Sequence, residues 1–280
     1  MNKEQTPADR LAQQEMLDAA IRDNMKRIKH KLIVMSGKGG VGKSTVSTNL
    51  AYGLMMSGFK VGLMDTDIHG PSLGKMLGIE GKFVQPADQG GLLPIEVNGI
   101  KVITMASIMQ DSDAPVIWRG PLKMGAIKQF LGDIHWGDLD YLVIDSPPGT
   151  GDEPLSVCQL IPEADGSLIV TTPQDVALID SRKTVRFSQA LKIPILGIIE
   201  NMSGFNCPHC NKPIDLFKVG GGEKAAKTLN VPFLGRIPID PQIVETSDSG
   251  EAYIYSYAKT EAGKAMQEIV DRIVKKTKKD

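Results

Sequence analysis

The chain holds three groups of residues whose types and spacing fit them for chemistry. The first is the run Gly37-Lys38-Gly39-Gly40-Val41-Gly42-Lys43-Ser44-Thr45, which contains the spacing G-x-x-x-x-G-K-S. Glycines there let the backbone turn tightly, so that successive N–H groups converge on phosphate oxygens. In that pattern the Lys43 ammonium reaches the β- and γ-phosphates and the Ser44 hydroxyl ligates Mg²⁺. The second group is a set of aspartates that close apolar runs: Asp65 and Asp67 after 60–64, and Asp145 after 141–144. Carboxylates at strand ends lie on the edge where α/β folds bind ligands. Asp65 and Asp67 therefore suit an outer-sphere Mg²⁺ contact and an acceptor that orients attacking water, while Asp145 suits holding Mg²⁺ directly or through water. Beyond Asp145, Gly149 can bring a bare N–H to a γ-phosphate and so distinguish a triphosphate from a diphosphate.

The third group is Cys207-Pro208-His209-Cys210. Thiolates at this spacing on a turn suit one metal centre. A thioredoxin-type redox pair needs a helix N-terminus in its own fold, and these surroundings supply none. Structural zinc and an iron–sulfur cluster each want about four ligands, more than Cys207, Cys210 and a cramped His209 provide in one chain. Two such pairs meeting across a two-fold axis complete either set. A dimer-bridging cluster, zinc and plain structural cysteines are the competing readings, and ligand count favours the first.

These residues need elements to position them. Leu32 to Val34 reads as a buried strand and Ser44 to Met56 as a helix, so the glycine run lies between strand and helix. Further strands are expected at 60–64, 100–105, 141–144, 167–171, 195–199 and 232–237, with helices through about Leu131, from Asp152, over 176–191, to about Leu229 and over 259–275. Alternation of this kind predicts an α/β fold with a mostly parallel sheet flanked by helices. Residues 1–30 read as a helical extension ending in the basic run Lys26 to Lys31, a peripheral helix with a solvated end, and residues 31–280 as one ATPase domain with the C-x-x-C inserted near 207–210. Residues 78–98 read as a loop or small hairpin, Ile68 to Ser72 as a mobile switch in which His69 packs or hydrogen-bonds, and 118–121 as a helix start carrying Arg119 at a surface or interface. Cys158 falls at an apolar helix position and is expected to be a buried thiol. Asn201, at a strand end, is placed to bond a nucleobase edge. Asp240 either cradles the base or N-caps the next helix. Gly220-Gly221-Gly222 lacks a following Lys-Ser and is not a second phosphate loop, and no N-K-x-D guanine signature exists, since Asn211-Lys212 runs into Pro213-Ile214. The base is therefore expected to be adenine.

Composition narrows the classes. The 280 residues are 41% hydrophobic and 23% charged, ordinary for a soluble globular chain. A formal net charge of −1 gives no electrostatic case for nucleic acid or an anionic membrane. Three cysteines, two of them in one C-x-x-C, point to a reducing compartment. A polar N-terminus and no long apolar run predict a cytoplasmic protein. The basic tail Lys275 to Lys279 is expected to be the frayed end of a packed helix rather than a membrane anchor.

Lys38 is a second lysine that a generic phosphate loop does not need. K-G-G-V-G-K-S resembles the deviant loop of the nitrogenase iron protein and of septum-site and partition ATPases. In those families the first lysine crosses a dimer interface to the partner's nucleotide, where it would act as an arginine finger does. The ordered set S-G-K-G-G-V-G-K-S-T, M-D-T-D-I-H-G-P-S, I-D-S-P-P-G-T-G-D, T-T-P-Q-D, E-N-M-S-G-F, C-P-H-C and I-P-I-D-P, over about 31–255, resembles the Mrp/ApbC iron–sulfur cluster carrier ATPases. That resemblance implies a homodimer that hydrolyses ATP slowly, holds a labile [4Fe-4S] cluster between subunits and passes it to apo iron–sulfur proteins. It implies that Gly37 to Thr45 bind phosphate with Lys38 in trans. Ser44 and Asp65 would serve Mg²⁺, Asp67 would orient water, Asp145 and Gly149 would sense the γ-phosphate, and Cys207 with Cys210 would ligate the cluster. The alternatives are a positioning or partition ATPase working on membrane or DNA, and an ATP-dependent reductase with a bridging cluster.

Overall fold

The structure is a computed structural model that describes residues 7–67, 72–88, 90–108, 120–207, 209–210, 212–214 and 216–278. Eight strands form its main sheet: β1 (Ile28–Ser36), β2 (Val61–Asp65), β3 (Ile95–Val97), β4 (Ile100–Ile103), β5 (Leu139–Asp145), β6 (Gly166–Thr171), β7 (Ile195–Glu200) and β8 (Phe233–Arg236). Their spatial order is β8-β7-β6-β1-β5-β2-β4-β3. All neighbours are parallel except β3 and β4, an antiparallel edge hairpin closed at Asn98-Gly99. β1 lies between β5 and β6, so the segment after it emerges at the middle of the sheet's C-terminal edge.

The helices are α1 (Pro7–Lys26), α2 (Lys43–Met56), α3 (Leu73–Met76), α4 (Gly120–Gly132), α5 (Asp152–Leu160), α6 (Asp175–Ala190), α7 (Gly221–Leu229), α8 (Pro241–Ser249), α9 (Tyr253–Ser256) and α10 (Glu261–Thr277). Strand alternation divides them into two layers. Leu32, Val34, Leu63, Val143, Leu168 and Val170 face a core shared with Val46 and Leu50 of α2, Tyr253 of α9 and Met266, Ile269, Val270 and Ile273 of α10. Ile33, Met35, Met64, Leu142 and Ile144 point the other way, into a core with Ile21 and Met25 of α1, Ile127 and Phe130 of α4 and Val157 of α5. A smaller cluster, Ile169 and Ile198 with Val185 of α6 and Ala226 of α7, completes that second face. Residues i and i+1 of a strand point to opposite faces, so apolar residues at both parities mean burial on both.

The start of β1 differs from the sequence expectation. Ile28 to Lys31 belong to the strand, and the basic run is not a solvated helix end. Arg27 pairs with Asp138 at 2.9 Å, Lys29 with Asp140 at 2.7 Å, and His30 Nδ1 lies 3.0 Å from Asp165. Lys31 is buried and donates to the carbonyls of Met25 and Ile28. α1 packs on α4, where Asn24 Nδ2 donates to the Leu131 and Ile134 carbonyls at 2.8 and 2.7 Å. Among the described residues no helix is long and apolar enough to cross a membrane.

Candidate functional site

Three strands end on one edge and bring most of the expected phosphate and metal residues together. β1 leads through Gly37, Lys38, Gly39, Gly40 and Val41 to Gly42, which caps α2 in the left-handed region at φ 81°. Only glycine fits there, because a Cβ would also fall 2.1 Å from Asn201 Nδ2. The start of α2 then presents Lys43, Ser44 and Ser47 beside Asp145, the last residue of β5, with Thr45 on the same first turn.

Asp145 is the hub. Its Oδ2 lies 2.7 Å from Lys43 Nζ and 2.6 Å from Ser44 Oγ, and its Oδ1 accepts from Ser47 Oγ at 2.6 Å. Lys43 is 6% exposed and stands 3.9 Å from Asp67, so its ammonium lies among carboxylates. Such a buried charge persists only where it is paired and hydrogen-bonded. Ser47 was absent from the sequence expectation, although its place one helical turn after Ser44 is a legible signal. The peptide after Asp145 is pinned too: Ser146 N–H donates to Val34 and Gly149 N–H to Ser36, at 3.1 and 2.8 Å.

Asp65 sits opposite Asp145 in the parallel register of β2 and β5. Burial, then the charge of Asp145, push its carboxyl well above the usual carboxylate range, while the Asp67 N–H bonded to it pulls the other way. Asp65 Oδ2 is buried without a hydrogen-bond partner. With the Ser44 hydroxyl and Asp145 this makes an all-oxygen donor set with one acceptor left over, which fits Mg²⁺.

Asn201, expected at the base, is engaged within the chain, and Asp240, expected at the base or as an N-cap, takes the second of those roles. Asn201 is buried, and its Nδ2 donates to the Val41 carbonyl at 2.9 Å, bracing the glycine loop from below. Asp240 N-caps α8 by accepting from Gln242 N–H at 3.0 Å, and its other oxygen accepts from the Tyr253 hydroxyl. A cleft of ≈ 620 Å³ opens beside Asp240, lined by Phe205, Asn206, Pro238, Ile239 and Pro241.

The glycines at 220–222 have a purpose the sequence did not disclose. The buried Glu200 carboxylate accepts from Gly220 N–H, Gly222 N–H and the Ser203 hydroxyl, so α7 begins around an anion from its own chain. Gly221 packs so tightly that a Cβ would meet the Pro173 carbonyl at 2.3 Å.

Cys207 and Cys210 lie on the turn of a short ribbon made by Phe205–Asn206 and Pro213–Ile214. Cys207 N–H donates to Lys212, and Cys210 is exposed. The His209 N–H, then the Cys210 N–H and thiol, hold the Cys207 thiol below its usual range by bonding to the sulfur. Among the described residues, no group of three or more His, Cys, Asp or Glu side chains could hold a metal. Cys158 is buried in α5, its thiol pushed up to about 12 by desolvation. Ile68 to Pro71, with His69, and the segment with Arg119 lie outside the described residues, as does Pro208.

The family model ParA, described as NUBPL iron-transfer P-loop NTPase, matches residues 27–274. The iron-sulfur cluster carrier protein of Methanocaldococcus jannaschii is 54% identical over 268 residues, which is 95% of this chain and 90% of that protein. A cytosolic Fe-S cluster assembly factor NUBP2 homolog of Dictyostelium discoideum is 46% identical, over 88% of this chain and 95% of the other. Among solved structures, a nucleotide-binding protein in complex with ADP from Archaeoglobus fulgidus superposes with a TM-score of 0.75 at 39% identity, covering 85% of this chain and 93% of that one.

Proposed function

This chain belongs to the family of iron-transfer P-loop NTPases, and from that premise we propose that it is a homodimeric ATPase that carries a [4Fe-4S] cluster and delivers it to apo iron–sulfur proteins. The observation that carries the reading is the Cys207–Cys210 pair on its own ribbon, two thiolates where a cluster wants about four. A second copy supplies the other two, and the cluster is cargo held between subunits.

The nucleotide half of the proposal rests on the glycine loop and its carboxylates. Loop N–H groups from Gly37 to Thr45 would hold the phosphates, with Lys43 exchanging its Asp145 contact for phosphate oxygens. Ser44, Asp65 and Asp145 would hold Mg²⁺, which when bound neutralises charge on phosphate oxygens. Asp67 would accept from the attacking water and orient it. Lys38, half-exposed on the loop, would reach the partner's nucleotide and stabilise charge developing in transfer. A site built mainly for binding suits ATP as a slow conformational timer.

Anaerobic reconstitution of the full chain with iron and sulfide tests the cargo. Wild type is expected to bind about four irons per dimer, and Cys207→Ser to lose most of them. Equal iron in both, or none in wild type, overturns the assignment. Arrival of the cluster in an apo-acceptor protein then distinguishes a carrier from a reductase, which would keep it.

A further inference from the structure

The contact between Asn201 and the glycine loop joins two sites that otherwise lie on separate segments. Val41 and Gly42 share one peptide plane. In a phosphate-binding loop its N–H would face the phosphate, and its carbonyl accepts from Asn201 Nδ2 at 2.9 Å. A peptide unit is rigid, so an anion that reorients the N–H must turn the carbonyl with it. Gly42, with no side chain, is what lets Asn201 come so close.

Asn201 is also the root of the segment that ends in the cysteines. Its own N–H is fixed to the Thr171 carbonyl at 2.8 Å. Met202 follows in the left-handed region at φ 55°, rare for a side chain of this kind, and Gly204 at φ 80°. Ser203 N–H donates to Ile237, Ile239 N–H to Gly204, and Phe205 bridges Ile239. Cys207 comes next, opening the turn through its N–H bond to Lys212. Between Asn201 and Cys207 the chain crosses no helix that could absorb a displacement, and its six steps span at most about 20 Å.

Resting on the reading of a nucleotide loop and a cysteine cargo site, we propose that Asn201 is a positioning residue that couples the two: occupation of the glycine loop by nucleotide turns the Val41–Gly42 peptide, and the Asn201 amide transmits that turn through Met202–Asn206 to the cysteine ribbon. Asn201 touches neither iron nor the reacting phosphate in this role. The same amide, bonded to the loop instead of open to a base, explains why it is buried.

The test uses the full-length, cluster-free protein and amide hydrogen exchange. In wild type, adding a non-hydrolysable ATP analogue with Mg²⁺ is expected to change exchange at Ser203 to Cys207 by about fivefold or more, a coupling of ordinary size. Asn201→Leu keeps the branched shape, though with more bulk, and cannot donate, and Asn201→Ala removes the amide if the first does not fold. Either variant is expected to bind the analogue with near wild-type affinity, shown by protection of the glycine loop, while the change at Ser203 to Cys207 disappears. No nucleotide-dependent change in wild type overturns the proposal, as does a change that survives in the variants. Loss of analogue binding in both variants assigns Asn201 to the ligand and overturns it too. Because no cluster is present, a failed reconstitution leaves these outcomes unaffected, so the two readings fail separately.

Discussion

Asp65 is the residue on which electrostatics acts most plainly. Its carboxyl is buried beside Asp145, one oxygen has no partner, and burial raises its proton affinity in the fold. A folded-state pKa raised above the unfolded value means that the native chain binds the extra proton between the two values. Stability of the nucleotide-free protein should therefore fall as pH rises from the ordinary carboxylate range through the raised pKa of Asp65. Asp65→Asn removes that charge while retaining an acceptor for Asp67 N–H. At pH 7 it should stabilise the nucleotide-free protein by on the order of 1–2 kcal/mol, flatten the pH dependence and abolish Mg²⁺-dependent hydrolysis. Thermal unfolding from pH 4 to 8 beside an ATPase assay checks this. A less stable variant with the pH slope intact would refute it. At this scale the sequence was informative about which residues converge, since Lys43, Ser44 and Asp145 do meet. It was silent about distant partners: Asn201 is engaged by Val41 and Asp240 by Tyr253, contacts that local spacing does not encode, whereas the N-cap of Asp240 on Gln242 is one of its two expected roles.

At the scale of elements, α1 is held to α4 by a side chain as well as by packing. Asn24 spans the end of α4, giving its amide hydrogens to the Leu131 carbonyl in the last helical turn and to the Ile134 carbonyl just beyond it. Asn24→Ala should cost about 1–2 kcal/mol and lower Tm by a few degrees, about 2–4 °C per kcal/mol for a chain of this size, without moving nucleotide affinity. An unchanged Tm would mean that the contact contributes nothing net. The elements themselves were largely readable, because strands buried on both faces are continuous apolar runs such as Leu32 to Val34 and Tyr141 to Ile144. The beginning of β1 was not. Its charges are balanced by Asp138, Asp140 and Asp165, which lie more than a hundred positions along the chain, so a local window sees only a basic run. The cysteine ribbon and the turn around Glu200 escaped for the same reason, being organised by a bridge to Ile239 and by a buried carboxylate.

For the whole molecule, the proposed action of Lys38 in trans makes a dimer testable without imaging it. Lys38→Ala and Asp67→Ala should each bind ATP and each hydrolyse it poorly as homodimers. In a mixed dimer, the Lys38→Ala subunit keeps Asp67 and borrows Lys38 from its partner, while the other site lacks both. Equal mixing should restore about a quarter of wild-type turnover, one competent site in half of the dimers. A mixture as inactive as its components would place Lys38 in its own subunit's site.

The position of β1 between β5 and β6 bears on how such a molecule comes to exist. Lys43 and Asp145 are separated by 102 positions, and Val41 and Asn201 by 160. During synthesis the glycine loop emerges early, with neither its carboxylate nor its brace yet made. Long-range parallel pairing forms slowly, because loop closure must precede its reward. β1 is thus the strand that waits longest for its neighbours, both of which begin more than a hundred positions after it ends. A half-folded chain in which β5 has not yet docked beside β1 therefore displays the loop with no Asp145 next to Lys43.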